Sequence, residues 1–406
     1  MVYEENRSEF KSSERARSVK LSEIVSISEA VQRRKKAGED ILSFGTGEPD
    51  FPTPVHVIEA AHSAMLRGET KYPPTQGTLE LRQAIIDTTK CHSSTTQSIE
   101  NIIVSTGAKQ VLANALLSSV NEGDEIILPA PFWTSYADII GFCEAVPVMV
   151  PCKAENDFKI IPEDLLAAIT PQTKWLMLNS PSNPSGALYS HNEIAGLARI
   201  LDKHPHVWLL ADEIYQHISY NEFRSFLEVA PDLAERMLVV NGVSKAYAMT
   251  GWRLGWGIGP KSLIKAMVGI QGLTTSGASS ISQAAALAAL TGPQDILKQR
   301  LKSFMERRNF VVKALNKTGI LECKNPGGAF YIFPSCSKTF GKRTPQGHTI
   351  TTDADFCSYI LEEAKVALVP GRAFGLPGYF RLSYAYSMSE LQEGCSRISD
   401  AVASLR

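Results

Sequence analysis

No stretch of about 18 uninterrupted apolar residues occurs in the chain, so the sequence offers no membrane-spanning helix. Charge of one sign is missing too. Lysine and arginine total 41 against 42 acidic residues, a formal net charge of −1. An overall basic pull toward nucleic acid or an anionic membrane is therefore absent. Cysteine is sparse: there are seven, an odd count, and no C-x-x-C pair. That disfavours a disulfide framework and a metal site such as zinc, and it fits a reducing, cytoplasmic setting. The opening stretch MVYEENRSEFKSSERARS lacks a signal-peptide apolar core, and its four glutamates are foreign to a transit peptide. Internal repeats are also lacking. What the chain does have is 406 residues, 44% of them hydrophobic. That is enough for a sizeable core and two or three domains.

Residues 1–18 are polar and read as a flexible tail. Glu23–Ala37 has helical spacing at Ile24, Ile27 and Val31 and stops at Gly38. ILSFGTGEPDFPTP then reads as a strand breaking into a Gly/Pro loop. From about residue 100, short β-rich runs recur at Ile102–Val104, Ile126–Leu128, Val146–Val150, Trp175–Leu178, Val207–Leu210, Met237–Val240 and Leu254–Ile258. Helix-like stretches such as Lys109–Val120 and Asn192–Asp202 separate several of them. This alternation predicts an α/β fold with one seven-stranded, open sheet. Ser282–Leu290 and Asp295–Leu315 read as helices leading to a smaller α+β layer, in which FYIFP, VALVP and YFRLSY are strands. KTFGKRTPQGHTITT reads as a polar loop. The expected division is a tail at 1–18, a large domain at 52–295, and a small domain built from 19–51 and 296–406.

Four windows carry chemistry. In MLVVNGVSKAYAMTGWRLGW a strand ends at Asn241 and a small-residue turn presents Ser244 and Lys245, with Arg253 eight residues on. A lone lysine after a strand is most often a solvated surface group. Among Gly, Ser, Ala and Trp it reads instead as a pocket lysine, whose desolvated amine is a competent nucleophile. In VWLLADEIYQHI the apolar run ends at Asp212, just before Glu213 and Tyr215. A carboxylate at a strand's C-terminal end points into the ligand crevice of an α/β sheet, although the same residue also suits a helix N-cap. MLNSPSNPSGA places Asn183 in a rigid turn, which ordinary turn chemistry also explains. VSTGAKQVLANAL runs from a strand through Gly107 and Ala108 into a helix, and so presents free backbone N–H groups to a phosphate, as many such turns do.

Taken together, SxNPxG, DEIY and SKAxxMxGWR, in this order and spacing, resemble the class I and II aminotransferases. These belong to the fold-type I enzymes that use pyridoxal 5′-phosphate. The likeness runs from about Val19 to the C-terminus through GEPDFPTP, TKYPPTQG, PFWTSY and FRLSYA. It is strongest to bacterial aspartate aminotransferases of the second subgroup, which includes aspartate/prephenate enzymes.

The resemblance implies the following roles. Lys245 bonds to the cofactor aldehyde and later shuttles the proton at the substrate Cα. Asp212 partners the pyridine nitrogen, Asn183 and Tyr215 hydrogen-bond the ring's phenolic oxygen, and Trp133 stacks on the ring. Gly107, Ala108, Ser244 and Arg253 hold the phosphate, joined by Tyr72 from the other copy of a homodimer. Arg381 grips the substrate α-carboxylate with Gly47 nearby; an exposed salt bridge is the alternative for that arginine. For the second carboxylate, GLTTSGASSIS contains no arginine, and Lys109 and Lys20 match the basic positions of the subgroup. The arm departs from the pattern. In KLSEIVSI, Leu21 and Ile24 stand where relatives have proline and threonine, and Glu23 adds a negative charge that weakens dicarboxylate recognition there.

The implied activity is aminotransfer from aspartate to 2-oxoglutarate. Prephenate, or aromatic or neutral amino acids, are the alternative substrates, and a β-elimination lyase is a different use of the same fold. A cofactor-binding gene regulator is the non-enzyme reading. Only some 18 polar residues precede the resemblance, too few for a helix-turn-helix module. No nucleic-acid or membrane partner is expected.

Overall fold

The structure, a computed structural model, describes residues 10–18, 23–89 and 97–406. Twelve strands follow one another along these residues. β1 is Leu42–Ser43, β2 Ile102–Ser105, β3 Glu125–Ala130, β4 Val146–Pro151, β5 Thr173–Asn179 and β6 Trp208–Asp212. β7 is Met237–Gly242, β8 Gly255–Ile258, β9 Tyr331–Ile332, β10 Val366–Ala367, β11 Val369–Pro370 and β12 Phe380–Ser383.

The seven expected runs all lie in one sheet, in the order β2-β8-β7-β6-β5-β3-β4. Neighbours from β7 through β4 are parallel, whereas β8 runs antiparallel to both β2 and β7. Strands β2, β7 and β8 are buried along their whole length. Helices cover both faces of the sheet, so these strands read as continuous apolar runs and not as alternating ones. The edge strand β4 is part-exposed and holds Pro147 and Pro151, residues a central ladder would not tolerate.

Local chemistry sets the helices. His191–Asp202 begins with a capping box between Ser190 and Glu193, and it buries Ile194, Leu197 and Leu201 at helical spacing. Asp295–Asn316 runs for 22 residues and turns Phe304, Val311 and Leu315 into a second core. That core includes Tyr331, Phe356, Phe380 and Leu382, over the antiparallel trio β11-β12-β9. β1 pairs with β10, so the segment before residue 51 packs with the last third of the chain. A short helix, Glu14–Ser18, lies within the stretch expected to be tail. Among the described residues, no helix is long and apolar enough to cross a membrane.

The C-terminal ends of β5, β6 and β7 and the end of β2 lie together on one rim of the sheet. In an open α/β sheet this rim is where ligands bind. β12 adds Arg381 from the other layer.

Candidate active site

A cavity of about 360 Å³ opens at that rim. β6 delivers Asp212 and the following turn delivers Tyr215; both are buried. The loop after β7 supplies Ser244 and Lys245, and the loop after β5 supplies Asn183. Trp133, Ala108, Lys109, Arg253, Gly47 and Arg381 complete the wall among the residues expected there. Tyr72 stands apart, 93% exposed and outside this chain's own cavity. Lys20 and Leu21 lie outside the described residues.

Lys245 is part-buried and donates from Nζ to the Gly47 carbonyl at 2.8 Å. Burial, then the nearby Arg381 charge, pull its pKa down to about 8, against an opposing pull from Glu48. The solvated-surface alternative for this lysine is thereby excluded. Asp212 moves the other way. Burial lifts its carboxyl to about 6, while hydrogen bonds from Tyr136 and the Ile214 N–H hold it from rising further. No helix starts at Asp212, so the helix N-cap that the sequence also allowed is not formed: Oδ1 accepts from the Ile214 N–H in a turn, and Oδ2 accepts from the Tyr136 hydroxyl.

The helix Ala108–Leu117 starts at the end of β2 without any side-chain cap. Its first N–H groups are therefore left for a ligand. Gly107 has φ +85°, and a Cβ there would lie 2.7 Å from Arg253 Nη2. Only glycine lets the guanidinium come this close to the helix start. Arg253 itself holds φ at +51°, an uncommon conformation for a long side chain, and donates Nη1 to the Thr250 carbonyl. Lys109 places its amine 4.8 Å over the Trp133 ring, and burial and Arg253 lower its pKa.

Arg381 is 2% exposed, so it is not an exposed salt bridge. Its Nη1 donates to Asn183 Oδ1 at 2.8 Å and its Nη2 to the Gly45 carbonyl, while buried Nε has no partner among the described residues. Its guanidinium is sandwiched between Tyr331 and Phe374. The arm also differs from expectation. Ile24 lines the cavity, but Glu23 turns away and pairs with Arg372 at 2.7 Å. The Glu23 charge is thus spent on a cation outside the cavity wall.

The family model described as aminotransferase class I and II matches residues 39–398. The chain belongs to the class I and II aminotransferases. This aminotransferase is 51% identical over 394 residues to an aspartate aminotransferase of Rhizobium meliloti (strain 1021), covering 97% of this chain and 96% of that one. It is 48% identical over 395 residues to a probable aspartate/prephenate aminotransferase of Rickettsia felis, covering 97% of each. The solved aspartate aminotransferase of Rhizobium meliloti superposes with a TM-score of 0.95 at 50% identity, over 98% of this chain and 100% of that one. The Thermus thermophilus aspartate aminotransferase with maleate gives 0.89 at 36%, over 97% and 100%.

Several residues that line this cavity or support its walls escape sequence reasoning. Tyr136 sits three residues after Trp133, stacks edge-on against it and bonds Asp212. The two are brought together by the turn that opens the helix Ser135–Phe142, in which the Tyr136 N–H donates to the Trp133 carbonyl. Arg300 ties the lysine loop to the Gly/Pro loop by donating to the Ala246 and Pro52 carbonyls. Glu213 is buried behind Asp212, takes hydrogen bonds from Ser225 Oγ and Phe226 N, and is pushed up to about 8 by burial. Tyr331 came into view only as part of a strand, because its site contacts arise from the pairing of β9 with β12.

Proposed function

We propose that the chain moves the amino group of L-aspartate to 2-oxoglutarate, in two half-reactions on pyridoxal 5′-phosphate. The observation that carries this reading is the convergence of the Lys245 amine, the Asp212 carboxyl and the Arg381 guanidinium on one cavity. The donor set suits the cofactor: an uncapped helix start beside Arg253 and Ser244 for a phosphate, an indole face for a ring, and a buried carboxyl for a ring nitrogen. When bound, the cofactor supplies an electron sink for the pair left at the substrate Cα.

The protein's own residues do the rest. Arg381, held in plane by Asn183 and Gly45, presents a guanidinium to the α-carboxylate, with Gly47 alongside. Lys245, neutral above about pH 8, would take the proton from the substrate Cα and return it two atoms away, to the cofactor carbon on the other side of the substrate nitrogen. Asp212, ionised above about pH 6, keeps a cationic ring nitrogen in place. Asn183 and Tyr215 face the ring oxygen, and Trp133 supports the ring. Lys109, and Lys20 from the arm, receive the distal carboxylate. The Thermus thermophilus aspartate aminotransferase was solved with maleate, a dicarboxylate, which supports that choice. Prephenate is the second reading, favoured by the name of the Rickettsia felis relative and by the apolar Ile24 in the wall.

The working unit in this reading is a cytoplasmic homodimer in which Tyr72 reaches the neighbour's phosphate group. Its exposure, and that of Leu66 and Leu273, supports burial by a second copy. The free thiols of Cys152, Cys323, Cys336, Cys357 and Cys395 support a reducing compartment. Residues 52–295 form the cofactor-binding domain, and 19–51 with 296–406 the small domain that carries Arg381. The test is spectroscopic. Aspartate should remove the bound cofactor's absorbance and 2-oxoglutarate should restore it. Release of pyruvate or ammonia without an acceptor would point to a lyase, and no response to any amino acid would defeat the reading.

A further inference from the structure

Tyr331 touches three separate parts of the site. Its hydroxyl lies 3.0 Å from the Tyr215 hydroxyl. The Arg381 guanidinium stands 4.7 Å over its ring, with Phe374 on the other side at 4.9 Å. The same hydroxyl presses against Gly47, where a Cβ would come within 2.4 Å of it; the Gly47 carbonyl is the one that accepts from Lys245. The side chain is 1% exposed and lies on the cavity wall. Its placement comes from β9, whose Tyr331 pairs with Ser383 two residues beyond Arg381.

A hydroxyl has one proton to give and lone pairs to accept with. If Tyr215 gave its proton to Tyr331, none would remain for the cavity. If Tyr331 gives its proton instead, Tyr215 is free to donate inward, and it donates more strongly because each bond in such a chain polarises the next. We propose that Tyr331 is a positioning residue: its hydroxyl donates to Tyr215 and aims the Tyr215 proton into the cavity, while its ring holds the Arg381 guanidinium for the carboxylate. This deepens the reading above and rests on it, since Tyr215 is taken there to face the cofactor's ring oxygen. The other charged or titratable groups facing this pair are Arg381, Asp212, Tyr136, Lys245 and Tyr386. Tyr331→Phe leaves every one of these side chains in place, and it keeps the ring beside Arg381.

The test uses the holoenzyme and Tyr331→Phe, which keeps the ring and removes only the hydroxyl. A hydrogen bond into the ring oxygen drains the negative charge that stabilises a protonated nitrogen beside it. Weakening Tyr215 as a donor should therefore raise the pH midpoint of the bound cofactor's absorbance, by roughly half a unit. KM for amino acid and oxo acid should stay within about twofold, because the ring under Arg381 is intact. Tyr331→Leu should raise both KM values by about tenfold, the loss expected when a desolvated cation loses its aromatic face. An unchanged or lowered midpoint in Tyr331→Phe overturns the proposed direction of donation. Equal KM values in both variants overturn the role of the ring. A wild-type protein that binds no cofactor, or whose absorbance ignores amino donors, defeats the proposed function itself, a failure visible before any variant is made.

Discussion

The Tyr136 hydroxyl donates a hydrogen bond to Asp212 Oδ2 at 2.7 Å, with both groups buried. The bond favours the ionised carboxylate against the burial that opposes it. Tyr136→Phe should therefore raise the Asp212 pKa above its present value of about 6. Near pH 7 less of the carboxylate would be ionised, and pyridoxal phosphate should bind apo-protein about tenfold more weakly, the worth of one hydrogen bond to a charged group. The deficit should shrink as pH rises, because Asp212 then ionises in the variant as well. Titrating cofactor into wild type and variant from pH 6 to about 9 checks this; a deficit that ignores pH would mean the tyrosine only packs.

Lys245 is a base whose pKa is pulled down to about 8. Its reactive neutral form therefore accumulates as pH rises through that value. The rate at which apo-protein captures the cofactor aldehyde should climb through about pH 8 and level off above it. Lys245→Ala should lose covalent capture and about 10⁴-fold in transamination. Turnover close to wild type would remove Lys245 from the chemistry.

Lys109 sits over Trp133 at the cavity wall, while Arg381 is buried between two rings. Lys109→Ala should cost aspartate and 2-oxoglutarate about tenfold in kcat/KM and leave neutral amino acids nearly unchanged. Arg381→Ala should cost every substrate about 10- to 100-fold, because all of them carry the α-carboxylate. A panel of donors against two acceptors reads both results. Equal losses across charged and neutral substrates in the lysine variant would end its specificity role.

Glu213 has a folded-state pKa near 8 against an ordinary 4.5, raised first by burial. Between these values the folded protein holds a proton that the unfolded chain releases. Stability from this group is complete below about pH 4.5 and falls as pH rises toward 8. Glu213→Gln preserves an acceptor for Ser225 and Phe226 and cannot ionise. Relative to the variant, wild type should lose on the order of 4 kcal/mol over that window, roughly 5 °C in Tm. Parallel melting profiles from pH 5 to about 8 would show that Glu213 is ionised in the fold.

The sequence alone determined the sheet and most of the chemistry placed on its rim. Away from the part-exposed edge strand β4 both faces of the sheet are buried, so the inner strands had to be written as apolar runs, and a polar residue ending such a run was bound to be conspicuous. Asp212 could be read for that reason, whereas Asn183 and Lys245 were read from the proline-rich and small-residue turns that follow β5 and β7. Tertiary structure alone decided who partners whom. The antiparallel insertion of β8 between β2 and β7, the meeting of Tyr331 with Arg381 and Tyr215, and the turning of Glu23 to Arg372 all join residues far apart in the chain. Such contacts depend on strand register and on which helix face is covered. Those are settled by packing the whole core, and a local pattern of residues does not contain them.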